Sequence, residues 1–315
     1  MREEFWYRTL FKLKLYEVSG EGFQRLFNDI ANYRYPDEFQ AVAPYGNLGD
    51  GGNDGWFQNK NRYFQVYGKK ADSKTNLDYI LDKATGDFVK IQTQWGKIDA
   101  YHFVYNDRFE GAPAPVIKAV SELKTTHNLV ESSVWDSRKL EQLFMELSGD
   151  QRCSILGGVP SEIPDWIDSN LVSELLKYLA DSVSSDFLPL DQTAPNFSEK
   201  IQVNGLTEPV SSYLKTYSYQ TQEVEDFLVV RDVGLKQSIA TEMQEIYKES
   251  LSKIPDSDDA AANTRYVWMV ERLIPKSANA HPHTFKAYRE AAQVILANYF
   301  EICDIYEHPN TITST

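Results

Sequence analysis

The hydrophobic periodicity of this chain changes character near residue 155, and that change sets what the two halves can fold into. Phe23, Leu26, Phe27 and Ile30 fall at three- and four-residue spacing, which predicts a helix over 20–33. A turn-rich stretch from Tyr45 to Gly55 follows, then Trp56-Phe57, a turn at Asn59-Lys60-Asn61 and an apolar run from Tyr63 to Tyr67, which together predict a β-hairpin. The pattern continues with a helix over 76–95, a strand over 99–105, a helix over 113–125, a strand over 127–134 and a helix over 136–147. Alternation of this kind implies a mixed sheet covered by helices. Beyond a Gly/Pro-punctuated junction at 150–165, apolar spacing is helical at 169–181, 219–230, 235–252, 264–274 and 284–303, with loops expected at 182–200 and 255–263. The expected organisation is an α/β domain over 1–155 and an all-helical domain over 156–315. A length of 315 residues with 13% aromatic side chains suits two cores.

The charge is divided as unevenly as the periodicity. The net charge is -14, and residues 1–160 contribute -2 of it while residues 161–315 contribute -12. A chain this acidic does not coat nucleic acid through bulk positive charge, so any contact with a polyanion must be local and is better tolerated in the near-neutral first half. Cys153 and Cys303 are too far apart for a CxxC metal site and too few for a disulfide framework, which points to a reducing, cytoplasmic setting. The first twenty residues carry charges throughout and do not read as a signal peptide, and no apolar run reaches transmembrane length.

One stretch carries chemistry. Gly49-Asp50-Gly51-Gly52-Asn53-Asp54-Gly55 leads into the first hairpin strand, and Gln65 lies in the second, before Val66-Tyr67-Gly68-Lys69-Lys70. A carboxylate at the start of one strand and an amide in its partner meet at one end of a sheet. Asp54, the Gln65 amide oxygen and the Val66 carbonyl are oxygen donors suited to a hard cation such as Mg²⁺, and a nearby lysine would steady charge on a phosphate. The same run also reads as a plain turn, with Asp50 as a turn-forming side chain and Lys69-Lys70 as a solvated strand end.

Helix, Gly-Asp-x-x-x-Asp-Gly and a strand with Gln-x-Tyr together resemble the restriction-endonuclease-like domains of the PD-(D/E)xK superfamily, and the closest resemblance is to effector subunits of ABC three-component, Lamassu-like antiphage systems. The segments Phe285–Arg289 and Tyr299–Glu307 look like the end of the helical domain of such subunits. The resemblance implies a restriction-endonuclease-like mixed sheet and a Mg²⁺- or Mn²⁺-dependent cut in DNA. It also implies docking on an SMC-like ABC-type ATPase and a middle subunit, with no membrane involvement. Asp54 matches the metal-binding aspartate, and Gln65 takes a position where Mrr-like members carry Gln. The lysine expected two residues beyond Gln65 is Tyr67 here, while Lys69, on the same strand face, and Lys70 follow. The first-helix carboxylate falls at Gln24; Glu21 is nearby, about 300° around the helix.

Other chemistries lack their residues. His281-Pro282-His283 has no cysteine near it, and GxSxG, GxxxxGK[ST] and a Rossmann GxGxxG at the glycine run are absent. The expected function is a nuclease effector in which cation binding falls to Asp54, Gln65, Val66 and Glu21, and the catalytic set is Asp54, Gln65, Lys69 and Lys70. A double-strand break would need a homo-oligomer, since one site cuts one strand. The competing expectations are a catalytically inactive adaptor that keeps the fold, and a scaffold acting through its helical half.

Overall fold

The computed structural model describes residues 2–44, 49–69, 76–161, 167–182, 196–229, 233–276, 278, 282–302 and 305–307. The chain forms two compact units, residues 11–155 and residues 1–10 together with 156–315.

The first unit follows the order α1 (Arg2–Glu17, of which residues 11–17 belong here), α2 (Gly20–Arg34), β1 (Phe39–Ala41), β2 (Gly55–Phe57), β3 (Arg62–Tyr67), α3 (Leu77–Gln94), β4 (Ala100–Tyr105), α4 (Ala114–Thr126), β5 (Glu131–Trp135), α5 (Ser137–Met145) and α6 (Gly149–Leu156). The five strands lie in chain order: β1, β2 and β3 are antiparallel, and β3, β4 and β5 are parallel. The β2–β3 hairpin pairs Gly55 with Phe64 and Trp56 with Tyr63. Its turn closes with Asn61 in the left-handed region at φ 42°, a conformation Asn tolerates better than most residues.

Strand alternation divides the apolar residues between two cores. Phe64 faces α2, with Phe27 of that helix 5.4 Å and Phe57 of β2 5.3 Å away between ring centroids, and Trp135 closes the cluster at 5.1 Å. Tyr63 faces the other way, into a core with Ile80, Phe88, Tyr101, Phe103 and Val116 under α3 and α4. Each such aromatic is worth about 1.5–3 kcal/mol of burial, so the sheet is held from both sides. His102 shares the Phe64 face, fully buried between Phe64 and Trp135. Burial presses its pKa down to about 3, so it stays neutral there, with Nδ1 at 2.9 Å from the Ser133 hydroxyl.

The elements expected from sequence in this unit are found, with ends shifted by a few residues. Helix α1 lies outside that reading for a physical reason. Trp6, Tyr7, Leu10, Phe11, Leu13 and Leu15 are all buried and spread over more than half of the helix circumference, so they leave no narrow stripe to read. Helix α6 also runs into the stretch expected as an irregular junction.

The second unit contains α7 (Ser169–Ser182), α8 (Phe197–Val203), α9 (Val210–Ser218), α10 (Gln222–Val229), α11 (Val233–Lys253), α12 (Ala261–Leu273) and α13 (Phe285–Ile302). Helix α13 is the centre of this unit. It packs on α7, α9 and α12, and every residue from Arg289 to Phe300 is buried. The charge of Arg289 is met inside: Nε and Nη2 donate to the two Glu271 carboxylate oxygens at 2.6 and 2.9 Å, and Nη1 and Nη2 donate to the carbonyls of Gly158 and Leu156 at 2.7 and 2.9 Å. Helix α8 begins within the span expected as a loop, where Asn196 accepts from the Ser198 and Glu199 amides; residues 183–195 of that span lie outside the described residues. No described helix is long and apolar enough to cross a membrane.

Two substitutions test this account. Gly68→Ala would place a Cβ 2.7 Å from the Gly20 nitrogen and 2.7 Å from the Phe23 Cβ, and should cost about 1–3 kcal/mol in urea unfolding. Arg289→Met leaves Glu271 and two carbonyls without their donor, and should cost about 3 kcal/mol by the same measurement.

Candidate active site

The end of β3 is where both helical layers reach the same point. The Gly20 amide donates to the Gly68 carbonyl at 2.9 Å, which seats the first turn of α2 against the strand end. The first turns of α3 arrive from the other face. Between them opens a cleft of about 540 Å³ lined by residues from α2, the loop before β2, β3 and α3.

Asp54 enters the cleft from a backbone already held in the sheet, its N–H donating to the Phe64 carbonyl at 2.9 Å and its carbonyl accepting from Val42 at 3.1 Å. The glycine-rich loop ahead of it is a built turn. Asp50 Oδ1 accepts from the Gly52 amide at 2.8 Å, as its turn-forming reading requires, and Asn53 Oδ1 accepts from the Gly55 amide at 3.1 Å. Gly52, at φ +80°, lies against α3 so closely that a Cβ there would stand 2.7 Å from the Asp87 carbonyl oxygen.

Both carboxylate oxygens of Asp54 have donors: Gln24 Nε2 at 2.7 Å on Oδ1, and the Val66 amide at 2.7 Å on Oδ2. The group is buried, and burial raises its pKa to about 7, with Asp50 and Asp87 pushing the same way and the Val66 N–H and Lys83 opposing. Near neutrality the carboxyl is therefore divided between its protonated and charged forms.

Gln65 lines the cleft beside it. It is 6% exposed, and its Oε1 has no hydrogen-bond partner among the described residues. Val66 contributes its amide to Asp54, in addition to the carbonyl considered from sequence. Glu21 lines the cleft and remains exposed, with an ion pair to Arg25 at 3.7 Å. The 300° that separates it from Gln24 is 60° the other way, so both stand on the cleft side of α2. Lys69 lines the cleft, and its carbonyl accepts from Arg108 Nη2 at 3.2 Å. Lys70 and His281 lie outside the described residues.

The structure adds a cation that the sequence reading did not consider. Lys83 lines the cleft from α3, half-buried, 3.3 Å from the carboxylate of the buried Asp87, which Lys90 also meets at 2.6 Å. Burial works against the charge on Lys83, but Asp87 outweighs it and the pKa is raised. A helix spanning 76–95 puts Asn76, Tyr79 and Lys83 on one face through i+3 and i+4 steps, and that was the available signal.

The donor set fits a hard divalent cation that keeps much of its water. Gln65 Oε1 is a buried acceptor lacking a donor, and Asp54 supplies a charge next to it. Among the described residues no three of His, Cys, Asp and Glu converge as ligands, so the remaining donors would be amide oxygens and water. The first turns of α2 and α3 also favour negative charge at the cleft mouth.

Residues 170–307 match the family model of C-terminal domain 10 of the ABC-three component (ABC-3C) systems. The matched residues lie in the helical unit, and the cleft lies in the other unit. No curated protein and no solved structure matches the chain.

The pKa of Asp54 gives a signed prediction. Its folded value lies above the ordinary 3.8, so its contribution to stability is full below pH 4 and is lost as the pH rises through about 7. Relative to Asp54→Asn, the wild type should lose on the order of 4 kcal/mol between pH 4 and pH 7.5 in urea unfolding. Parallel pH profiles for the two proteins would exclude a protonated Asp54.

Proposed function

We propose that residues 11–155 are a restriction-endonuclease-like domain that hydrolyses phosphodiester bonds of DNA with Mg²⁺ or Mn²⁺, and that the protein is the effector of a Lamassu-like ABC three-component defence complex. In this reading the helical unit docks on the SMC-like ATPase and the middle subunit. Support comes from the order helix, three antiparallel strands, helix, parallel strand, with Asp54 opening the second strand and Gln65 inside the third. The observation that carries it is the unpartnered, buried Gln65 Oε1 in the same cleft as Asp54.

Asp54, Gln65 and the Gln24 amide oxygen would hold the cation, which when bound supplies a water of lowered pKa and positive charge against the phosphate. The Val66 N–H fixes the orientation of Asp54. Lys83, held by Asp87, and Lys69 steady charge on the scissile phosphate, and the two helix N-termini favour an anion there. Two copies acting together would cut both strands.

A second reading has one observation in its favour. Gln24, an amide where the resemblance calls for a carboxylate, already contacts Asp54, which suits an inactive domain kept as an adaptor. Cleavage of plasmid and linear DNA separates the two. With Mg²⁺ or Mn²⁺ and the partner subunits present, the wild type should cut, folded Asp54→Ala should not, and Lys83→Ala should be slowed about a hundredfold. Wild-type cutting rates in Asp54→Ala would remove the site assignment, and no cutting by the wild type in the assembled complex would favour the adaptor.

A further inference from the structure

The wall of the cleft formed by α3 carries an aromatic side chain that neither the cation site nor the lysines explain. Tyr79 stands in the first turn of α3 and is 49% exposed, although it lines a cleft otherwise edged by amides and charges. Among the described residues its ring meets one aromatic neighbour, Tyr67, with centroids 5.9 Å apart and planes tilted by 58°. Tyr67 is itself fixed. It lies parallel to Tyr105 across the β3–β4 ladder, at 6.0 Å and 3°, and near-parallel to Phe103 at 6.4 Å and 14°. The result is a rigid aromatic step whose outer ring faces solvent inside the cleft.

Lys83 is one helical turn beyond Tyr79 on the same face of α3, so a phosphate held at Lys83 brings an attached base within reach of the ring. Lys83 lines the same cleft as Tyr67, Tyr79 and Asp54. An aromatic ring beside a cation suits a nucleotide in general, because every base has a face to stack and the contact does not depend on sequence. The volume, about 540 Å³, is that of a small-ligand pocket and suits a nucleotide better than a stacked pair. A base in a duplex is stacked on both faces and must leave the stack to reach such a ring.

We infer that Tyr79, backed by Tyr67, is a nucleobase subsite that stacks one unpaired base of the strand whose phosphate lies at Lys83. The preferred substrate is then single-stranded or frayed DNA. This rests on the nuclease reading and goes beyond it by naming the strand state.

The test uses the full chain in EDTA, so that binding is read without cleavage. Labelled single-stranded DNA containing 2-aminopurine is compared with the blunt duplex of the same sequence by anisotropy and by 2-aminopurine fluorescence. The expected result is tighter binding of the single strand, with quenching of 2-aminopurine on binding. Tyr79→Ala should weaken single-strand binding roughly tenfold and abolish the quench, leaving duplex binding unchanged, while Tyr79→Phe retains both. Wild-type single-strand affinity and quenching in Tyr79→Ala, or a wild type that holds the blunt duplex as tightly as the single strand, overturns the subsite and leaves the nuclease reading standing. Failure of the wild type to bind either DNA, with Mg²⁺ or without, overturns the nuclease reading and the subsite with it.

Discussion

The missing side chain at Gly68 is the constraint on which the cleft depends. Because nothing projects there, α2 comes close enough for a backbone hydrogen bond from Gly20, and Gln24, one helical turn on, reaches Asp54. The opposite wall depends on a similar close approach, Gly52 against the backbone of Asp87, which ties the loop before β2 to α3. Two glycines thus set the separation of the two helical layers at the point where the carboxylate sits, and a larger residue at either position would have to move a helix. Gly52, which reads in the sequence as part of a turn, acts here as a spacer as well.

How much of this was legible depends on whether a signal is local. The apolar run Tyr63–Tyr67 after its turn and the helical spacing in Phe23–Ile30 are local signals, and both elements were readable to within a residue or two. The pairing of Asp54 with the end of β3 was readable because a short hairpin joins them. The spacing of Asn76, Tyr79 and Lys83 marks one face of α3, but that this face meets Asp54 depends on where α3 crosses the sheet, which is not local. Gln24 was marked as a departure from a pattern, and only the fold shows that its amide reaches the carboxylate. Helix α1 escaped because its buried residues spread over more than half of the circumference and leave no narrow stripe.

The helical unit solves a different problem with a charged residue at its centre. Helix α13 passes through the core, and Arg289 sits at the beginning of its buried run with four donated hydrogen bonds, two to Glu271 and two to carbonyls near residue 157. An arginine in such a place is costly to bury and tolerable only when fully met, so it fixes the register of α13 against α12 and the 156–158 segment more strictly than apolar contacts would. Most of the negative charge of this half falls within residues 170–307, the part that matches the ABC-3C domain model.

The carboxyl of Asp54, held near neutrality between two donors, also makes the resting cleft a proton store. In the proposed reading, a cation binding there would find its oxygen ligand partly occupied by hydrogen and would have to displace it. Occupancy of the cleft is in that sense an exchange rather than an addition: the local charge rises by less than the charge of the ion, and the balance is set as much by the acidity of the surroundings as by the concentration of metal.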